Sequence, residues 1–350
     1  VTGNVKYADK IEKCIFNAGI GSVKEDFSAV QYFSCPNQVL ATQNSNHNVF
    51  FCGKQWMGYN SKHNTDCCVG NANRFMPNFA RRLWMKKDNE VFAALYSPNT
   101  YSFTVDGANV LIEEKTNYPF EDSVLFVVHT KKKAKFALSL RIPGWSDGAT
   151  VEVNGQKQKI NKSGVFYRIE REFSDGDEIV LMLMPQIRTE KSSDGGVYFT
   201  RGPLVFALGL AYKGEKVPAP GGDGMFCNYN LTTDVPWNYC IDESECIKDE
   251  VLLMRQDLSA QNPWSLEGAP LCLTVPAHRL ETWNLLHKTE LDVCHNLYEK
   301  AHHNETGDFT FTPPLPENIS ENDVAEKETI TLVPVGAAKL RITVFPSIKR

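Results

Sequence analysis

The chain has 350 residues, with 37 Lys and Arg against 42 Asp and Glu and a net charge of −5. This balance offers no basic face to a nucleic-acid backbone, and the one basic cluster, KKKAK at 131–135, reads as a solvated strand end. No run of about 18 apolar residues exists to span a membrane, and the length exceeds one ordinary core, which argues for roughly two or three domains.

In chain order, Tyr7, Ile11, Ile15 and Ala18 recur at spacings of three and four, which predicts a helix over 5–18. Residues 27–52 are rich in Asn and Gln, too polar for a core of their own. The stretch HNTDCCVGNANRFMPNFARRLW, 63–84, sets Cys67 and Cys68 side by side before a second helical pattern, expected over 70–86. Phe75, Phe79 and Leu83 form one stripe there, with Met76, Ala80 and Trp84 beside it. Pro77 fits such a helix only in its first turn.

After Asn89 the pattern changes to short alternating segments. VFAALYS, YSFTVDG, NVLIEEKT, SVLFVVHT, KFALSLRIPGW, TVEVNGQ, VFYRIEREF and EIVLMLMP follow at near-regular intervals, separated by Gly, Asp or Asn turns. Asn154-Gly155 is the strongest hairpin signal. Eight strands so spaced predict an antiparallel sandwich. GVYFTRGPLVFALGL and ETITLVPVGAAKLRITVFP bracket a second β-rich region with a Pro/Gly loop, GEKVPAPGGDG, inside it. Trp145, Trp237 and Trp264 lie in these β regions and are expected to pack them.

The cysteine pair poses the chemical question. A bridge between sequence neighbours closes a strained eight-membered ring, because bridged Cα atoms normally sit about 5.5–6 Å apart. Two explanations stay open: a thiolate pair serving a metal or a reaction, or two small core residues that touch. The ten cysteines show no CxxC and no zinc-ribbon spacing. Two adjacent thiolates cannot complete a four-ligand zinc site.

DCCVGNANRFMPNFARRLWM, together with YADKIEKCIFNAG, LRIPGW, FTRGPLVFAL and ETITLVPVGAAKLRITVFP, resembles the zinc- and cysteine-dependent β-L-arabinofuranosidases of glycoside hydrolase family 127. Cys-Cys-x-x-Asn-x-x-Arg (Cys67, Cys68, Asn71, Arg74) is the most specific part of the resemblance, which runs the length of the chain. It implies a multidomain α + β protein: the C-terminal part of an (α/α)6 barrel over 1–86, then two antiparallel β-sandwich domains, 87–188 and 189–350. It further implies a retaining hydrolase of plant-type glycans, with zinc as cofactor, Cys67 as nucleophile and both Cys67 and Cys68 as zinc ligands. The family's Glu-x-Cys ligand pair and its acid/base glutamate are expected upstream of Val1, which would leave this chain inactive alone. The only glutamates before the cysteine pair are Glu12 and Glu25. Glu12-Lys13-Cys14 has the form of a Glu-x-Cys, but its alignment marks it as chance. Partners implied are a glycan substrate and either the missing N-terminal half or a second copy. The family implies a bacterial periplasmic, secreted or cytoplasmic setting.

Weaker site candidates carry bland alternatives. His63 could line a sugar pocket, yet loop histidines are usually solvated. Trp56 and Tyr59 could stack on a sugar or anchor their loop in the core. Arg74 could hold a carboxylate or make an ordinary surface ion pair. Two further functions fit the same residues: a non-catalytic carbohydrate-binding scaffold and a structural zinc protein.

Overall fold

A computed structural model describes residues 3–46, 57–61, 67–219, 227–246, 250–258, 262–296 and 301–348. Strand dominates it, and the chain divides into two compact units. The first comprises Val1–Ile15, Arg74–Ile187 and Arg201–Leu204; the second comprises Phe16–Asn73, Arg188–Thr200 and Val205–Arg350.

In the first unit, helix α1 (Lys6–Cys14) is followed by ten strands: β1 (Trp84–Lys87), β2 (Glu90–Ala93), β3 (Asn99–Val105), β4 (Ala108–Lys115), β5 (Ser123–Thr130), β6 (Ala134–Ile142), β7 (Thr150–Val153), β8 (Gln156–Lys159), β9 (Val165–Phe173) and β10 (Glu178–Met182). All eight predicted segments are strands. They form a six-stranded sheet, β8-β7-β10-β5-β4-β3, and a four-stranded sheet, β9-β6-β2-β1. The expected wholly antiparallel arrangement is corrected in both units: in the second unit Ser45–Asn46 pairs in parallel with Ala301–Phe311, and here β2 and β6 pair in parallel. The three strands between them belong to the other sheet, so the chain returns to β6 running the same way as it left β2.

Alternation explains why these segments became strands. In β4, Val110 and Ile112 are buried while their neighbours are less so, as period-two residues on one inward face must be. Ring contacts join the two sheets: Phe103 lies 5.1 Å from Phe136, which stacks on Phe173 at 4.3 Å, and Trp84 stacks on Tyr101 at 5.1 Å. Asn154 and Gly155 take φ of 49° and 80°, the left-handed pair a two-residue hairpin requires. Asp106 and Gly107 repeat this between β3 and β4, at 48° and 68°.

α1 departs from the expected orientation. Tyr7 and Ile11 are exposed, and the face turned inward carries Val5 and Glu12, with Asp9 half-buried between them. The reason is Arg141 of β6, whose side chain is fully buried. Its guanidinium meets Asp9 and Glu12, each at 2.5 Å, and lies over the Tyr96 ring. Tyr118 donates its hydroxyl hydrogen to the second Glu12 oxygen at 2.5 Å, and the Gly144 N–H donates to Asp9 at 2.9 Å. Burial pushes the Glu12 carboxyl up, opposed chiefly by Arg141; burial is also the largest influence against the Arg141 charge, but Glu12, Tyr118, Tyr96 and Asp9 together outweigh it and hold Arg141 up.

Glu114 of β4 is a second buried acid, and burial pushes it up to about 8 against the Asn99 and Ser97 N–H groups that donate to it. A carboxyl held above its ordinary value binds a proton that the unfolded chain releases. Its contribution to stability is therefore complete below about 4.5 and is lost as pH rises through about 8. Urea midpoints of the 350-residue chain are expected to fall between pH 5 and 8, with a limiting slope of about 1.4 kcal/mol per pH unit. Glu114→Gln should flatten that slope; an equally steep profile in the variant would exclude Glu114 as its source.

The second unit is built on a nine-stranded sheet. Its main path runs Asn37–Gln38, Leu340–Ile342, Leu204–Leu210, Lys327–Pro334, Leu271–Arg279 and Tyr239–Cys240. Phe199, Phe206, Leu273, Leu332 and Phe345 are fully buried in it. The polar segment before the cysteine pair is laced to distant backbone by its amides. Asn37 accepts from the Thr343 and Val344 N–H groups and donates to the Val344 carbonyl, while Gln38 donates to the Lys339 carbonyl at 2.8 Å. Buried Arg341 donates to Ser34 Oγ and the Cys35 carbonyl, both at 2.6 Å. Trp264 stacks on Phe16 at 5.9 Å, and Trp237 meets Trp283 edge-on at 5.0 Å.

Candidate active site at a cysteine pair

Helix α2 runs Cys67–Ala80, so the two cysteines are its first two residues. The helix ends earlier than the sequence suggested: Trp84 already belongs to β1, and Pro77 sits in the last turn. There its missing N–H and the clash with residue 73 affect only the final hydrogen bonds, and the helix stops three residues on. Of the apolar stripe, Phe79 and Leu83 are buried, Phe75 is half-buried and Met76 is exposed.

Cys67 and Cys68 are both free thiols, exposed and half-exposed respectively, with their sulfurs 3.9 Å apart. Two effects oppose each other here. The N–H groups of a first helical turn favour a thiolate. Burial, then the hydrogen bond and charge of Cys67, push the Cys68 thiol up to about 11. The second effect prevails at Cys68, so two adjacent thiolates need a cation between them.

Tetrahedral zinc with sulfur ligands at about 2.3 Å places two sulfurs about 3.8 Å apart. The observed separation fits two corners of such a site. Among the described residues no cluster of three or more His, Cys, Asp or Glu side chains completes it. Spacings of four and seven put Asn71 and Arg74 on the Cys67 face of α2, and both are exposed.

The model of the β-L-arabinofuranosidase GH127 catalytic domain matches residues 1–81, and that of the GH127 middle domain matches residues 90–184. The chain is GH127-like. Among solved structures, a GH127 β-L-arabinofuranosidase from Geobacillus stearothermophilus T6 aligns at TM-score 0.62 and 19% identity, over 99% of this chain and 47% of that one. A structure described as a glycoside hydrolase aligns at 0.65 and 18%, over 99% and 49%. A GH127 β-arabinofuranosidase aligns at 0.62 and 20%, over 99% and 46%. At these identities the structural likeness shows the fold alone, and the GH127-like chain spans about half the length of each. No curated protein matches the sequence.

Within the GH127 catalytic-domain match, the remaining candidates separate. Tyr59 is fully buried, and its hydroxyl donates to the Gly21 carbonyl at 2.9 Å. Its ring anchors the loop and has no free face for a sugar. His63 and Trp56 lie outside the described residues. Glu12 is committed to Arg141 and Tyr118 while Cys14 is exposed, so Glu12-Lys13-Cys14 does not act as a ligand pair. Sequence reasoning did not find the buried acid–arginine cluster. An acid at every turn of an otherwise amphipathic helix, Asp9 and Glu12, was the available signal.

Proposed function

We propose that this chain belongs to a retaining glycoside hydrolase that releases β-L-arabinofuranose from plant-type glycans, with Cys67 as nucleophile. The observation that carries the reading is the unbridged pair at the start of α2, sulfurs 3.9 Å apart, inside the GH127 catalytic-domain match. In this reading α1 and α2 belong to the end of an (α/α)6 barrel. Cys67 and Cys68 would hold a zinc ion, which when bound keeps the thiols ionised at neutral pH.

The Cys67 thiolate attacks the anomeric carbon; the C–O bond to the aglycone breaks as a C–S bond forms, and water later displaces the sulfur from the opposite face, the one the aglycone left, so two inversions retain the configuration. The departing oxygen needs a proton from an acid on the opposite side. We place that acid and the other two zinc ligands outside residues 1–350. Without them the departing group leaves unprotonated, at a cost of roughly 10²–10⁴ in rate, and two ligands hold zinc weakly.

The test compares the 350-residue chain with an upstream-extended version, on an aryl β-L-arabinofuranoside with zinc and reductant. A silent short chain beside an active long one is expected. Equal turnover by the short chain would remove the assignment of the acid and the missing ligands. Stoichiometric zinc that alters only stability in both would replace the hydrolase reading with a structural zinc site.

A further inference from the structure

The four-stranded sheet of the first unit carries an open cavity of about 510 Å³, within the range of small-ligand sites. Its floor follows from strand register. Glu90, Ala137 and Glu170 are partners across β2, β6 and β9, and Ser139 faces Arg168 on the same sheet face two residues along. The small Ala137 side chain leaves the middle of the floor open. Around it the polar groups are held in place: Arg168 bonds Glu170 at 2.6 Å and reaches Glu90 at 3.4 Å, and Ser139 donates to the other Glu90 oxygen at 2.5 Å.

Two turns complete the wall. Asp88 lies in the β1–β2 turn and Asp106 in the β3–β4 turn, both with left-handed backbone. With Lys87 and Lys135 they line the cavity; among the described residues no side-chain hydrogen bond or ion pair engages Lys87, Asp88 or Asp106, and the Lys135 charge acts on Glu170 within the same cavity. Beside the cavity, on the same sheet face, half-exposed Phe92 and Phe166 meet edge to face at 5.4 Å.

We propose that this cavity binds a short stretch of neutral oligosaccharide. The lining charges nearly cancel, three basic against four acidic, so neither a polyanion nor a polycation gains from it. What it offers is a dense set of fixed acceptors and donors within one groove. A polyol matches that set, because vicinal hydroxyls accept from Arg and Lys and donate to carboxylates at the same time. The Phe pair supplies an apolar surface for sugar C–H groups. That the sugar contains arabinose rests on the proposed hydrolase reading; the groove itself does not.

Calorimetric titration of the 350-residue chain tests this, with linear arabino-oligosaccharides, cello-oligosaccharides of equal length, inorganic phosphate and spermidine as probes. Millimolar binding of the arabino-oligosaccharide is expected. Arg168→Ala and, separately, Asp106→Asn should each weaken it about tenfold, the loss of one charge-assisted hydrogen bond. Thermal unfolding of both variants checks that each is folded. Cello-oligosaccharide binding with the same sensitivity would keep the groove and discard the arabinose assignment. No sugar binding, sugar binding indifferent to both variants, or tighter binding of phosphate or spermidine would overturn the proposal. In the upstream-extended protein Arg168→Ala should leave hydrolysis of a small aryl arabinofuranoside unchanged, which separates the groove from the hydrolase reading.

Discussion

Replacing Arg141 with methionine is expected to destabilise the first unit by about 3–5 kcal/mol, the usual result of removing one partner from a buried ion pair. Glu12 is fully buried and Asp9 partly so, and both oxygen sets are arranged around this one guanidinium. Without it Glu12 must either keep an uncompensated charge away from water or take up a proton. Either course costs stability, and Tyr118, which now donates to Glu12, loses its ionised acceptor in the second case. Thermal unfolding should show a midpoint lower by roughly 10 °C. Adding Glu12→Leu should restore much of the loss, since replacing the whole pair by apolar groups is often near neutral. A single variant within about 1 kcal/mol of the parent would show that the α1 clamp is energetically idle.

Cys67→Ser in an upstream-extended, zinc-loaded protein is expected to lower turnover by roughly three orders of magnitude or more, the scale seen when a covalent nucleophile is removed. A serine hydroxyl is not ionised near neutral pH, and it is a poorer partner for zinc than a thiolate. Cys68→Ser should act differently, lowering bound zinc, measured by elemental analysis, with activity following metal content. The elevated Cys68 thiol makes this division testable, because burial first and Cys67 second hold its proton, and a bound cation works against both. Full activity in Cys67→Ser would transfer the nucleophile's role to another residue.

The sandwich was legible in the sequence because each strand carries its own signal: period-two burial and turns such as Asn154-Gly155 that demand left-handed backbone. The parallel pairing of β2 with β6 was not legible, since it depends on which sheet the intervening strands join. The buried face of α1 was misjudged for a related reason. Tyr7 and Ile11 mark an apolar stripe locally, but the partner that draws Asp9 and Glu12 inward is Arg141, 129 residues beyond Glu12. The start of α2 lies close to the expected one and its end does not, because Pro77 falls in the last turn, where the lost N–H and the clash with residue 73 help to stop the helix, and not in the first. At the candidate site, the adjacency of Cys67 and Cys68 was plain, but their 3.9 Å separation and the elevation of Cys68 required coordinates. The cavity over Ala137 left no trace in sequence, because register between β2, β6 and β9 assembles it.

The amide lacing between Asn37–Gln38 and the strand at Leu340–Ile342 has a consequence for the order of events during synthesis. These partners are some 300 residues apart, 307 for the Asn37–Val344 bond. At roughly 5–20 residues per second, translation leaves the 34–38 segment waiting on the order of half a minute for its partner strand. Strands β1 to β10 lie between 84 and 182 and complete their two sheets well before that strand emerges. The nine-stranded sheet can close only afterwards, around a contact of very high sequence separation, which makes it the slow step in maturation of the chain.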